Sequence, residues 1–428
     1  MTAAGSATRA RKQLGRREFT ALLALSMALA ALGIDLMLPA FPAMRRDLGL
    51  SPDSTAVAGL LTAYFLGLAL GQLGYGPLAD RYGRRATLYL GYGVYAVGAL
   101  AATVSPTLPL LLASRFVWGL GAAGPRVVTL AVIRDTFDGE RMSRAMSFIM
   151  AVFIVVPVFA PTLGAAVSAA VSWRWLFAGC ALAAVVMAVW AVRLPETLRP
   201  EHRRPLRLHS VLAAARVVAS DRRTVGYTLA MASLYGVFAS YLGGAEIIFG
   251  DTFGQAANFP LLFGGLAAVM GAAMLANAYV VGRVGTRRLT HGVLIAYTGA
   301  ATALFVVSLV TGGRPPLAVF VVMMAVLLSL QALLIPNFNT IAMAPMGRVA
   351  GTASSVIGAV QLSVGALLGA VLDRAFDGTV LPLSVGALIY AGVALGFVVW
   401  AERGRLLRPM STAPSVHEEA AAAVVVEA

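Results

Sequence analysis

The sequence predicts an all-α membrane protein whose twelve transmembrane helices form two pseudo-symmetric six-helix bundles. Three observations predict it. Of 428 residues, 59% are hydrophobic and only 12% charged, with a mean hydropathy of +0.82. A soluble domain carries about 25% charged residues, so too few remain here for a water-facing surface. Apolar segments of about 20 residues recur along the chain, each long enough to cross about 30 Å of hydrocarbon. The short alternating segments of a β-barrel are not seen. Finally, the basic residues sort by side. About 26 of the 33 fall in alternate loops on one face and about five on the other, the positive-inside pattern. The net charge of +14 therefore orients the chain in a bilayer, and nucleic acid is not an expected partner.

The first segment could be misread as a signal peptide, because Arg9, Arg11, Lys12, Arg16 and Arg17 precede an apolar run. That run continues to about Ala43, too long for a signal core, and lacks a clean cleavage site. It is read as an uncleaved first span behind a cytoplasmic segment, 1–17. The first six spans fall near 18–43, 55–78, 86–105, 108–130, 146–168 and 174–193 and make the N-terminal bundle, 18–193. A cytoplasmic basic linker, 194–223, follows. From Arg193 to Arg223 the chain holds eight arginines, two histidines, Pro195, Pro200 and Pro205. Six more spans, near 224–248, 260–282, 290–312, 316–338, 348–372 and 380–402, make the C-terminal bundle, 224–402. The tail, 403–428, ends HEEAAAAVVVEA and is expected to be disordered.

A repeat is visible in the loops. Arg81-Tyr-Gly83-Arg84-Arg85 follows span 2, and Arg283-Val-Gly285-Thr-Arg287-Arg288 follows span 8. Two matching halves around a site at the midplane suit alternating access. Cys180 is alone, so neither a disulfide nor a cysteine metal site is possible. The four histidines, 202, 209, 291 and 417, are read in polar loops or the tail, with neither metal spacing nor an intramembrane relay. No cofactor is expected, and no nucleophile–base cluster suggests an enzyme.

The stretch GYGPLADRYGRR, Gly74 to Arg85, combines glycines for close approach, a carboxylate at a membrane boundary and arginines that hold the loop in the cytoplasm. It resembles the loop 2–3 signature of the major facilitator superfamily. The resemblance makes Gly76, Asp80, Arg81, Gly83, Arg84 and Arg85 a gating motif. Asp80 would latch the two halves on the cytoplasmic side in the outward-open state; the competing reading is a turn that only sets topology. Further stretches are similar to the Bcr/CflA-type drug:proton antiporter branch. They are GIDLMLPAFPAM in span 1, SRFVWGLGAAGPRVV in span 4, SWRWLF, LPETL, and LIPNFNTIAMAPMGRVAGTASS around spans 10 and 11. VPVFAPTLGAA in span 5, with Pro157, Pro161 and Gly164, is similar to the antiporter motif, although Ala160 and Ala165 stand where that motif has glycine.

Within span 4, Gly119-Leu-Gly-Ala-Ala-Gly124 matches G-x-G-x-x-G, but it lies inside about 22 apolar residues with no preceding turn. Dinucleotide binding needs a strand before it and a solvent-facing helix after it. Helical geometry offers another account. Arg115 and Arg126 are 11 residues apart and return to within about 20° of one face, with Gly119 and Ala122 between them. Intramembrane charges normally face a cavity or a partner, so span 4 is read as a cavity helix.

Asp35 and Arg115 both lie about 10 Å from the outer ends of their spans, and they are assigned together to proton coupling. The alternative is a fixed structural ion pair. Glu246, near the outer end of span 7, is taken as the only other acid in a span able to face the cavity. It is grouped there with Arg126, Tyr235, Phe238 and Tyr241, though a solvated helix end and plain aromatic packing are the competing readings. The expected function is proton-driven export of small, partly apolar molecules, multidrug or antibiotic efflux by drug:H+ antiport. The alternative is a dedicated metabolite exporter or an uptake symporter of the same fold. The expected partners are a small-molecule substrate, protons and the lipid bilayer, with the chain a monomer of the bacterial inner membrane.

Overall fold

Twelve helices long and apolar enough to cross a membrane appear in the computed structural model, which describes residues 15–203 and 208–407. The spans are Arg17–Asp47, Thr55–Tyr82, Arg84–Val104, Leu108–Thr136, Gly139–Ala170 and Arg174–Arg193, then Arg222–Thr252, Ala256–Val284, Thr286–Val310, Leu317–Gly347, Ala350–Arg374 and Leu381–Ala401. No strand occurs among the described residues. The basic residues at 9, 11 and 12, Pro205, and the tail from 408 lie outside them.

Spans 1–6 pack chiefly among themselves, as do spans 7–12; the two groups meet along spans 2 and 11 and along spans 5 and 8. Consecutive spans alternate in direction, so the start of span 1, the loop 2–3 motif and the linker share one end, called here the linker end. The opposite end is called distal. The linker holds a helix, Leu208–Ser220, that packs on span 11. The loop repeat has a backbone counterpart, because Gly83 and Gly285 occupy matching turns with φ of 100° and 84°. An L-residue at either position would be strained.

Small residues set the packing of the first bundle. A β-carbon on Gly119 would stand 2.0 Å from the Tyr64 carbonyl oxygen of span 2, and one on Gly121 would stand 2.1 Å from the Tyr95 nitrogen of span 3. The glycines of GLGAAG therefore let three helix backbones close on one another, as small residues do inside membranes.

Span 1 is not one helix. Its α-helix stops at Asp35, a short 3₁₀ turn covers Leu38–Ala40, and a second helix runs Phe41–Asp47. Pro39 and Pro42 cause this, since each lacks an N–H and crowds the carbonyl one turn back. The Ala40 N–H donates to Met37 at 2.9 Å, which leaves the Leu36 carbonyl outside the helical ladder. Gly164 of span 5 lies against that carbonyl, where a β-carbon would come within 2.0 Å. Pro161 is buried one turn earlier, so the Pro/Gly stretch of span 5 packs at the break in span 1.

Candidate functional site

Between the bundles lies a cavity of about 370 Å³, lined by spans 1, 2, 4, 5, 7, 8, 10 and 11. Its walls are mostly apolar. Phe65 and Tyr235 meet across it edge-to-face at 5.6 Å, one ring from each bundle. Phe238 lies 5.7 Å from Tyr235, and Tyr241 stacks on Phe263 at 5.7 Å. Three amides reach it, Gln72, Gln331 and Gln361, and so does Pro157 of the antiporter-like stretch.

Asp35 and Arg126 are the only carboxylate and the only guanidinium in the lining. Asp35 is buried at the broken end of the span 1 helix, and Arg126 is half-buried. Among the described residues neither makes an ion pair within 4 Å or a side-chain hydrogen bond.

The expected pairing of Asp35 with Arg115 is therefore corrected: the two do not meet. Arg115 is fully buried inside the N-terminal bundle. Its guanidinium faces the rings of Tyr64 at 4.5 Å, Trp118 at 4.6 Å and Phe177 at 5.9 Å, and its Nε donates to the Leu60 carbonyl at 3.4 Å. Its two terminal nitrogens have no hydrogen-bond partner. Aromatic faces stabilise a cation through the ring quadrupole, and here they take the place of a carboxylate. Gly119 and Ala122 are likewise not cavity residues; the first is closed against span 2 and the second is buried. The 11-residue stripe puts Arg115 and Arg126 on one face, but the neighbours of that face change along the axis. Aromatic side chains of spans 2 and 6 cover its distal part, and only the part near Arg126 meets the cavity.

Glu246 does not line the cavity either, and it is not a solvated helix end. It is 7% exposed and accepts a 2.8 Å bond from Nη2 of Arg45, while Arg45 Nε donates to the Ser54 carbonyl at 2.8 Å. This pair ties span 1 to span 7 at the distal end, just beyond the cavity residues Asp35 and Tyr241. Close packing completes the seal, since a β-carbon on Gly243 would stand 3.1 Å from that of Ala58 and 2.8 Å from an Asp373 oxygen. Asp373, a buried acid of span 11, accepts from Ser240 at 2.8 Å. Neither Glu246 nor Asp373 is among the residues that line the cavity. Neither Arg45 nor Asp373 was singled out from the sequence. Arg45 carried a signal all the same, as a basic residue on the sparsely basic side.

At the linker end, Asp80 accepts from Arg84 at 2.6 Å, and Arg84 also donates to Asp135 at 2.8 Å. Glu196, from LPETL, accepts from the backbone N–H groups of Arg84 and Arg85 at 2.8 and 3.1 Å, capping the start of span 3. Arg81 is exposed and lies over Tyr82, and Arg85 lies over Tyr89. A side chain at Gly76 would come within 3.8 Å of Ser355 on span 11. Asp80 is held inside its own bundle, in a structure whose distal end is shut. No hydrogen bond or ion pair joins Asp80 to the second bundle among the described residues, so the latch implied by the resemblance is not formed here.

The matching place in the second bundle corrects the reading of His291. It is buried in span 9 and bonds the Tyr227 hydroxyl at 2.8 Å. Tyr227 donates to Glu402 at 2.9 Å, and Arg287 pairs with the same carboxylate. The backbone N–H of Leu407 donates to His291 Nδ1 at 2.9 Å. No group of three or more His, Cys, Asp or Glu able to hold a metal occurs among the described residues.

The Major Facilitator Superfamily model matches residues 23–370. The chain is 31% identical to a chloramphenicol resistance protein of Pseudomonas aeruginosa, covering 86% of this chain and 87% of that one. It is 28% identical to the bicyclomycin resistance protein homolog of Haemophilus influenzae, covering 88% and 94%. A crystal structure of a D-xylose-proton symporter shares the fold, with a TM-score of 0.70, 13% identity, and coverage of 91% of this chain and 99% of that one. The chain belongs to the major facilitator superfamily and is a membrane transporter of small molecules.

Proposed function

We propose that this major facilitator superfamily transporter exports small, partly apolar molecules by drug:H+ antiport. One observation carries the reading: Asp35 stands in the cavity, at the end of a proline-broken helix, with no hydrogen-bond or ion-pair partner among the described residues. A carboxylate so placed is free to hold either a proton or a polar group of the substrate, and antiport requires that the two compete. An external proton neutralises Asp35 and releases the substrate outward. The empty, protonated carrier turns inward and loses its proton to the more alkaline cytoplasm, and substrate then rebinds. The names of the bicyclomycin and chloramphenicol relatives support efflux of this kind.

Arg115 serves here as a positioning residue. Its cation faces the Tyr64 ring, and the Tyr64 hydroxyl donates to the Ala30 carbonyl of span 1 at 2.9 Å, one turn before Asp35. The arginine distribution supports cytoplasmic termini and linker, with the bundles divided as 18–193 and 224–402 in a monomer of the bacterial inner membrane. The linker end is then cytoplasmic, and the Arg45–Glu246 seal closes the external side.

The test uses purified protein in proteoliposomes with an imposed pH gradient and a small panel of dyes. An acidic lumen is expected to drive dye inward, and a protonophore to stop it. Dye moving in the same direction as protons would replace antiport with the symport alternative. Movement indifferent to the gradient would end proton coupling.

A further inference from the structure

We propose that the cavity selects dipolar aromatic molecules, holding a basic nitrogen at Asp35 and an acidic group at Arg126. The proposal rests on the transport reading above and names the substrate class of the same site. The sequence places two arginines and two acids near the cavity. The structure removes one of each, since Arg115 is enclosed by the rings of Tyr64, Trp118 and Phe177 and Glu246 is consumed by Arg45. What remains is one carboxylate and one guanidinium in the same chamber, paired neither with each other nor with any described residue.

Charges inside a membrane are costly and normally have partners. A ligand that excludes water from this chamber must therefore supply both counter-charges. A monocation leaves Arg126 desolvated without a partner, a monoanion does the same to Asp35, and a neutral molecule strands both. The apolar body between the two ends fits the rings of Phe65, Tyr235 and Phe238. A volume of about 370 Å³ sits at the lower end of the range of about 300–1,000 Å³ for drug-sized ligand sites.

This arrangement divides the labour. Protonating Asp35 ends its hold on the basic nitrogen and couples the cycle, whereas Arg126 only selects. Arg126 variants should lose preference and keep coupling.

The experiment measures equilibrium binding of norfloxacin, a zwitterion near neutral pH, against its methyl ester and its N-acetyl derivative, on purified full-length protein. Wild type is expected to bind the zwitterion about tenfold or more tightly than either blocked form. Arg126→Gln should abolish the difference between zwitterion and ester, weakening the first and strengthening the second by removing the stranded cation, and Arg126→Lys should restore part of the difference. Equal binding of all three compounds by wild type overturns the proposal, as does no measurable binding of any; neither result depends on a variant's folding. A uniform loss for all three in a monodisperse Arg126→Gln protein also overturns it. Failure of the antiport reading would look different: the compounds would rank as expected, but none would move in response to a pH gradient. Gradient-driven movement of the ester as strong as that of the zwitterion would leave antiport standing and end the dipolar selection.

Discussion

The two bundles share a topology but place their charges differently. The N-terminal bundle carries Asp35, Arg115 and Arg126 into the middle of its spans. The C-terminal bundle keeps its acids near the ends, Glu246 and Asp373 at the distal seal and Glu402 at the linker end. To the cavity it contributes Tyr235, Phe238, Tyr241 and Gln331. The matching loops differ as well. After Gly83, Arg84 bridges two carboxylates, Asp80 and Asp135, whereas after Gly285 the position matching Asp80 is Gly282 and Arg287 pairs with Glu402 at the end of span 12. Symmetry of fold thus coexists with asymmetry of chemistry. On the proposed mechanism, proton work falls to the first half, while the second supplies most of the rings that would meet the substrate's apolar body, Tyr235, Phe238, Tyr241 and Phe263, opposite Phe65 of the first.

The largest expected effect tests the first half of that statement. Asp35→Asn should lower gradient-driven transport by about a hundredfold or more while the protein still folds and inserts. Coupled efflux at matched expression checks it, and full coupled activity in the variant would move proton work elsewhere. The seal between the halves comes next. Removing one partner of a buried pair costs about 3–5 kcal/mol, because the other charge is stranded. Glu246→Gln should therefore favour the state open at the distal end, read as increased thiol labelling of a cysteine at Thr55. The double variant Arg45→Met with Glu246→Leu, which strands no charge, should be the less destabilised of the two in thermal unfolding. The reverse order would show that the pair is not a seal.

The second half of the comparison predicts a smaller change of a different kind. Tyr235→Ala removes the ring that meets Phe65 and should weaken binding of an aromatic substrate about fivefold. The ratio of proton-driven to downhill flux should be unchanged, and a loss of coupling would break the division between bundles. Asp80→Asn should do less still. Its carboxylate is 43% exposed, and exposed pairs contribute about 0–1 kcal/mol. Turnover should fall two- to fivefold with binding in detergent near wild type; a selective loss of affinity would contradict a gating role. Labelling of single cysteines in a Cys180→Ser background sharpens the picture of span 4. Position 126 should react with a small polar thiol reagent and position 128, whose side chain is fully buried, should be protected. The reverse pattern would turn the helix inside out.

Twelve spans, their order and the linker between two halves were legible in the amino-acid sequence. Each follows from a local quantity: apolar length against bilayer thickness, and the side on which arginine accumulates. The loop glycines of the repeat were legible for the same local reason, whereas the break in span 1 at Pro39 and Pro42 was not singled out from the sequence. Asp35, Arg126, Tyr235, Phe238 and Tyr241 were also found, because a polar or aromatic residue stands out within an apolar span. The fate of Arg115, Glu246, Asp373 and His291 was not legible. Helical periodicity states which residues share a face, but what lies opposite comes from spans far away in the chain. Phe177 covers Arg115 from 62 positions on, and Arg45 reaches Glu246 across 201 positions. The sequence by itself determined that this chain crosses a membrane twelve times in two related halves, since hydrocarbon admits few ways to satisfy a backbone. Only the tertiary structure decided which charges are spent on one another or on aromatic rings and which two remain in the cavity, because pairing depends on separations of a few ångströms between helices that the sequence does not order in space.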